Sequence, residues 1–125
     1  MGIKCKVVSK TNPQNREQSK YYVQPIRKGT VSRSKIEELI VRETSLSKGD
    51  VRSVITTLSD IIGDYLTEGY SITLNEVGTL SIRVKSEGTE KKEDATVRNI
   101  SSVSVGFRPA TVLREKVSKT LFEKE

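Results

Sequence analysis

The chain of 125 residues has no histidine, no tryptophan and a single cysteine. Without histidine it lacks the commonest metal ligand and the usual general base, and Ser-His or Cys-His nucleophile arrangements are excluded. The lone Cys5 permits neither an intrachain disulfide nor a multi-cysteine zinc site. A carboxylate or a lysine enzyme is the remaining catalytic alternative, but we interpret the paired carboxylates of Glu37 and Glu38 as a solvated helix face. We therefore expect no enzymatic activity, no metal, no cofactor and no small-molecule substrate.

Long apolar runs are absent too. No stretch approaches the ~20 apolar residues that span a membrane, and the N-terminus has no apolar signal-peptide region. We expect a cytoplasmic protein without membrane contact.

Hydrophobic residues amount to 34% and aromatic residues to 5% of the chain, which is little for a core of this size. The composition therefore predicts a homodimer in which a second copy completes the core.

Charge is unevenly distributed along the chain. The 22 basic and 16 acidic side chains give a net charge of +6, and residues 1–32, with seven basic groups and one acid, carry the same +6. Residues 95–125 hold six basic and three acidic groups. Basic ends favour a polyanionic partner, with a solvated surface as the alternative. From charge density we predict phosphate contacts from the N-terminal basic residues, which are Lys4, Lys6, Lys10, Arg16, Lys20, Arg27 and Lys28.

The N-terminal segment has the pattern of paired strands. Ile3, Cys5 and Val7 alternate with polar or basic residues, which is the period of a strand. Residues 21–26 form a second candidate strand, after a polar stretch that contains a turn-forming Asn-Pro step. Its two tyrosines either pack on the sheet, which we favour, or stack on bases. Residues 1–31 are thus predicted to be an added β segment.

Two helices are predicted next. Residues 33–44 have apolar side chains at helical spacing, with Ser34 and Glu37 in the order of a capping box. A Ser-Lys-Gly-Asp capping box opens a longer helix over residues 48–67. This helix carries one wide apolar stripe. We interpret the stripe, together with an aromatic residue of a later strand, as core and dimer interface: Val51, Val54, Ile55, Leu58, Ile61, Ile62, Tyr65, Leu66 and Phe107.

A hairpin with a long polar tip follows the helices. Short strands are predicted around residues 72–74 and 80–84, on either side of a turn. Residues 86–96 are too polar to bury themselves and form a protruding or flexible loop. Apolar residues at Val97 and then in alternation up to Phe107 predict the returning strand.

A short helix over residues 112–121 ends the pattern. The order of elements predicts an α+β fold in a single domain over residues 1–125. Within it, residues 32–125 form the core with its two helices, hairpin and C-terminal helix, and residues 83–100 form a protruding arm.

Five stretches carry a resemblance to a known family: Leu46-Ser47-Lys48, Leu66-Thr67-Glu68-Gly69, Ile72-Thr73-Leu74, Val77-Gly78-Thr79-Leu80 and Phe107-Arg108-Pro109-Ala110. In order and spacing they resemble the histone-like HU/IHF family of DNA-binding proteins, over roughly residues 33–121. The N-terminal extension resembles the longer HU-HIG variety, since plain HU proteins lack it.

The resemblance implies an intertwined homodimer in which the helices form a shared base and each subunit extends a two-stranded arm. In the family, the arms wrap and bend duplex DNA through the minor groove, and basic arm residues neutralise phosphates. The residues that match this role here are Arg83, Lys85, Lys91, Lys92, Arg98 and Arg108.

The arm tip departs from the family pattern. The family's tip has an Asn-Pro-containing stretch whose proline wedges between base steps, whereas residues 86–96 contain no proline and carry a net charge of −2. Phosphates repel an acidic tip by ~1 kcal/mol per close charge at surface dielectric. We therefore do not expect wedge-type kinking at this tip, and the basic N-terminal segment is expected to replace the lost phosphate contacts.

The leading hypothesis is non-catalytic, weakly sequence-specific and salt-dependent DNA binding by a nucleoid-associated architectural homodimer that condenses DNA. The alternative is an HU-like dimeric module for protein interaction or scaffolding with reduced DNA affinity, which the acidic tip favours. Duplex DNA is the expected partner, and the residues alone leave RNA open.

Overall fold

Residues 2–125 are described by the computed structural model, and within them the chain forms three α-helices and two three-stranded sheets. The mixed α+β class is as predicted. The elements in chain order are β1 (Ile3–Asn12), β2 (Asn15–Pro25), α1 (Arg33–Glu43), α2 (Lys48–Thr67), β3 (Ile72–Leu74), β4 (Gly78–Ser86), β5 (Ile100–Pro109), α3 (Thr111–Ser118) and β6 (Phe122–Lys124). Two single-turn 3-10 helices, Lys92–Asp94 and Val97–Asn99, lie between β4 and β5.

The chain folds as two compact units. The first combines the segment up to Ser32 with Lys116–Glu125, and the second is Arg33–Glu115. The predicted β extension therefore gains a strand from the C-terminus, and the sequence pattern does not predict this strand.

The first unit is built on a sheet with strand order β2-β1-β6. β1 and β2 form the predicted hairpin, but both strands are longer than expected, because polar residues continue the backbone ladder as far as the Asn12–Asn15 pair. β6 runs parallel to β1, with Ile3 opposite Phe122. The Ile3 amide donates to the Leu121 carbonyl at 2.8 Å. Leu121 is thus in an extended segment, and its assignment to the last helix was wrong.

The two predicted helices before the hairpin, α1 and α2, are confirmed to within one residue at their ends. Ser47 caps α2: its hydroxyl accepts from the Asp50 amide at 3.1 Å, and the Asp50 carboxylate accepts from the Ser47 amide at 3.1 Å. The expected capping box at Ser34 is not formed, because α1 already begins at Arg33. Between residues 2 and 125 no helix is both long and apolar enough to cross a membrane.

The second sheet has the order β3-β4-β5, with antiparallel pairing throughout. β4 and β5 form a long two-stranded ribbon, which we call the arm. Its strands pair from Gly78–Pro109 to Ser86–Ile100. The predicted start of the returning strand at Val97 was wrong: this residue lies in a 3-10 turn with 83% of its surface exposed. A strand there would have no partner, since the residues opposite belong to the tip.

Candidate nucleic-acid interface

The arm has two chemically different faces. Directly opposed residues share a face, and successive residues alternate between faces. The register pairs Thr79 with Arg108, Ser81 with Gly106, Arg83 with Ser104 and Lys85 with Ser102. These eight residues form the face that we call the arm basic face. Neither strand contains an acidic residue, so its three cations are unopposed within the ribbon.

Arg83 lies flat on the arm basic face. A Cβ atom built at Gly106 would collide with Nε of Arg83 and would come within 2.8 Å of its Cδ. The aliphatic stem of Arg83 therefore covers the backbone at Gly106, which is buried. A side chain at position 106 would therefore require Arg83 to move, a contact that the sequence pattern does not predict.

The opposite face of the arm is apolar. The register pairs Leu80 with Phe107, Ile82 with Val105 and Val84 with Val103. The face stays open to solvent towards the tip, where Val103 and Val105 are each 60% exposed. At its root, α2 contacts β3 and β4, and the Phe107 ring closes over Gly78.

The arm tip is ordered by its own hydrogen bonds. The Glu87 amide donates to the Asn99 carbonyl at 2.8 Å. A capping box joins Thr96 and Asn99, whose Oδ1 accepts from the Thr96 amide at 2.7 Å. Three predicted DNA-binding residues, Lys91, Lys92 and Arg98, are exposed within this tip. They lie beyond the strand ladder and are not on the arm basic face.

The N-terminal sheet places four of the five predicted lysines on one side, and Lys28 lies beyond the end of β2. In the β1–β2 register, Lys6 is opposite Gln24, Val8 is opposite Tyr22 and Lys10 is opposite Lys20. Because residues alternate along β1, the same side holds Lys4. We call this surface the lysine face: Lys4, Lys6, Val8, Lys10, Lys20, Tyr22 and Gln24. Two like charges directly across a ladder destabilise a hairpin, so an anion at Lys10 and Lys20 would relieve a repulsion.

The apolar stripe of α2 is covered on one side. Val51 and Leu66 are buried, and Ile55, Leu58 and Ile62 are half-buried within the second unit. The neighbouring side of the stripe is open: Val54 is 57%, Ile61 46% and Tyr65 49% exposed. The edge of Tyr65 meets Tyr70 with 5.5 Å between ring centroids.

Glu37 is not on a solvated face, which corrects the interpretation of the Glu37–Glu38 pair. Its side chain is fully buried and accepts two hydrogen bonds from Arg52, at 3.0 Å from Nε and 3.1 Å from Nη2. Arg33 Nε lies 3.8 Å from Glu37 Oε1. The hydrogen bonds from Arg52 lower the pKa of Glu37 against the opposing effect of burial. Glu38 is exposed as predicted and pairs with Arg42 at 3.5 Å.

Glu37 thus ties α1 to α2, and it is a structural group. Among residues 2–125, no three His, Cys, Asp or Glu side chains are grouped so that they could hold a metal ion.

Comparison with known proteins gives a consistent result. The family described as "HU-HIG: HU domain fused to wHTH, Ig, or Glycine-rich motif" matches residues 1–124. The chain belongs to the HU-HIG family. The resemblance to HU/IHF histone-like, nucleoid-associated proteins is thereby confirmed, including its longer variety.

Curated relatives of this HU-HIG chain are integration host factor subunits. Integration host factor subunit alpha of Rhodobacter capsulatus is 25% identical over 92 residues, which cover 72% of this chain and 92% of that protein. The same subunit of Paracoccus denitrificans (strain Pd 1222) is 26% identical over 91 residues, covering 71% and 89%.

A solved structure shares the fold of the HU-HIG chain. It is that of a proposed bacterial DNA-binding protein from Bacteroides vulgatus ATCC 8482, with a TM-score of 0.69 and 13% identity. The alignment covers 98% of this chain and 47% of that one, so the chain spans about half the length of that protein. At this identity the likeness concerns the fold alone.

Proposed function

We propose that this HU-HIG chain binds duplex DNA as a homodimer, in the manner of a nucleoid-associated architectural protein. In this role it holds and condenses DNA in the cytoplasmic nucleoid, with little sequence preference and without catalysis. The HU-like arrangement of a shared helical base with one arm per subunit is part of the proposal.

The arm basic face is the observation that carries the proposal. Arg83, Lys85 and Arg108 share one side of a two-stranded ribbon whose other residues on that side are serine, threonine and glycine. Small side chains let a phosphate backbone approach closely, and cations without acidic neighbours neutralise it. The two strands contain no Asn, Gln, Asp or Glu, and Asn and Gln are the usual side chains for reading adenine. Arginine and lysine can also read guanine, so weak sequence preference is proposed here on the assumption that Arg83, Lys85 and Arg108 contact phosphates.

The lysine face is proposed as a second source of phosphate contacts. Its four lysines, Lys4, Lys6, Lys10 and Lys20, would add to the electrostatic affinity. Lys91, Lys92 and Arg98 are proposed as weaker contacts, because four carboxylates of the tip lie near them in sequence.

The homodimer is supported by the open side of the α2 stripe. Val54, Ile61 and Tyr65 recur at spacings of seven and four residues, so they form one apolar row along the helix. Rows of this kind on a monomer mark contact surfaces. A second copy of α2 offers a matching row, as expected for a symmetric interface.

Salt dependence of duplex binding tests the proposal. We compare the parent with a variant carrying Arg83→Gln, Lys85→Gln and Arg108→Gln, using fluorescence anisotropy of a random-sequence duplex across a salt series. If each residue contacts one phosphate in both subunits, the slope of log affinity against log salt decreases by about 5.

A matched control removes the same charge from the helices, with Lys35→Gln, Arg42→Gln and Lys48→Gln. We expect the control to keep nearly the parent's slope. An arm variant that binds with the parent's affinity and slope would contradict the assignment of the arm basic face.

The second candidate is a dimeric protein-interaction or scaffolding module. The acidic tip and the exposed apolar faces favour it. A folded dimer that fails to bind random duplex DNA even at low salt would select this function over the first.

A further inference from the structure

Tyr22 is the aromatic residue of the lysine face. It lies opposite Val8 in the ladder and is 46% exposed. The Lys10 ammonium is 5.6 Å from its ring centroid. Tyr21, the adjacent residue, is on the other face of the sheet, opposite Ser9, and is 75% exposed. The two tyrosines therefore have different surroundings: only Tyr22 is flanked by lysines.

A shallow concavity of about 420 Å³ surrounds Tyr22. Its lining includes Lys10 and Lys20 on either side of the ladder, together with Pro13 and Gln18 near the turn. No acidic side chain lines it among the residues that the structure describes, and within the same residues neither lysine is part of an ion pair. The site thus offers an aromatic ring and two like-charged lysines without a carboxylate partner.

We propose that this concavity binds single-stranded DNA, with an unpaired base stacked on Tyr22 and the adjoining phosphates held by Lys10 and Lys20. The inference rests on the proposed function to the extent that the lysine face binds DNA phosphates. It goes further, because it specifies single-stranded DNA and a contact between one base and Tyr22.

The chemistry favours a single strand over a duplex. A duplex presents phosphates, which the lysines bind, but its base faces are already stacked on one another. A half-exposed tyrosine ring gains a partner only from an unstacked base, and aromatic rings between basic residues are the usual platform for single strands. The cation–π contact between Lys10 and Tyr22 is solvent-exposed and long, at 5.6 Å, and such contacts are weak. The ammonium can therefore move to a phosphate when a base stacks on the ring.

Variants of the full-length chain test the proposal against labelled oligothymidylate of about 20 nucleotides, which is longer than the ~4–16 nucleotides bound by comparable platforms. We expect Tyr22→Ala to weaken this binding by roughly 5- to 150-fold, the range for loss of one stacked base. Random duplex should be bound within about twofold of the parent. Tyr21→Ala, as the matched control, should bind both DNAs like the parent.

Tyr22→Phe separates stacking from other roles. A phenyl ring stacks as well as a phenol, so affinity for the single strand should persist. Tyrosine emission, which is visible because the chain has no tryptophan, should be quenched by the oligomer in the parent and less so in Tyr22→Phe. If Tyr22→Ala loses its circular dichroism signal, Tyr22→Leu replaces it, since leucine keeps apolar bulk without stacking.

Several outcomes would overturn the inference. One is that Tyr22→Ala or Tyr22→Leu binds oligothymidylate as tightly as the parent. Another is that Tyr21→Ala loses as much affinity for oligothymidylate as Tyr22→Ala does. A third is that the parent binds duplex DNA but not oligothymidylate. In each of these the proposed duplex function survives. Tenfold tighter binding of oligouridylate than of oligothymidylate would overturn the choice of DNA, and failure to bind any of the nucleic acids would remove both proposals.

Discussion

At the scale of single residues, Glu37 is the one charged side chain that is buried among the residues that the structure describes. It is a fully buried carboxylate that two hydrogen bonds join to Arg52. Loss of the Glu37 charge leaves the half-exposed Arg52 guanidinium without its ion-pair partner. Glu38, its neighbour in sequence, is exposed and pairs with Arg42 on the helix surface, where ion pairs contribute little.

Substitution of Glu37 should therefore change stability and its pH dependence. Because the pKa of Glu37 in the folded chain lies below its ordinary value of 4.5, its stabilising contribution is complete above that pH. It is lost as the pH falls through the lowered pKa. We expect Glu37→Gln to lower the midpoint of thermal unfolding at about pH 7. Between about pH 7 and pH 3, the midpoint of thermal unfolding should fall less in Glu37→Gln than in the parent.

Glu38→Gln serves as the control and should follow the parent at both pH values. Asp50, whose pKa is also lowered, chiefly by the hydrogen bond from the Ser47 amide, is intact in both variants and contributes equally. Identical pH profiles for Glu37→Gln and the parent would contradict the role of the Glu37–Arg52 pair.

At the scale of elements, the arm combines a basic ribbon with an acidic tip. None of the four tip carboxylates takes part in a hydrogen bond or ion pair within residues 2–125. The tip is held instead by backbone contacts and by the Thr96–Asn99 capping box. Its acidity can therefore be removed without unfolding it.

Neutralising the tip should tighten duplex binding if the arm lies along DNA. We expect the variant with Glu87→Gln, Glu90→Gln, Glu93→Gln and Asp94→Asn to bind more tightly and with a steeper salt dependence, by up to ~1 kcal/mol per close charge. The measurement is duplex anisotropy over a salt series. A control with Glu38→Gln, Glu43→Gln, Asp60→Asn and Asp64→Asn changes the net charge equally on the helices. Equal gains in both variants would mean that only net charge matters and that the tip lies away from the phosphates.

At the scale of the whole molecule, the proposed homodimer should depend on the open side of α2. Ile61 is 46% exposed in one chain, so a monomer would tolerate an acid there, whereas burial of an unpaired charge in an interface costs several kcal/mol. We expect the parent to sediment at twice its 14.0 kDa and Ile61→Asp to lose the dimer or the fold.

Ser53→Asp tests the same change away from the interface. Ser53 is exposed and lies on the opposite side of α2 from the stripe, so the variant should remain dimeric. A folded monomeric parent at micromolar concentration would contradict the homodimer.

Much of the local structure could be predicted from local sequence. The capping serine at Ser47 and the stripe from Val51 to Leu66 define α2, because helix ends and helical periodicity are properties of consecutive residues. The alternation in the N-terminal segment likewise predicts its hairpin. The family could be identified for a related reason: its motifs are short stretches in a fixed order.

Tertiary structure decided what depends on residues distant in sequence. Glu37 and Glu38 are adjacent carboxylates of α1, and the packing of α1 against α2 buries Glu37 and leaves Glu38 exposed. β6 forms because its backbone can pair with the edge of β1. Its three residues have little apolar content, so their sequence alone does not predict a strand. The lysines of β1 were predicted as a basic segment, but their shared face with Lys20 and Tyr22 follows from the strand register, since a one-residue slip would move every side chain of β2 to the other side of the sheet.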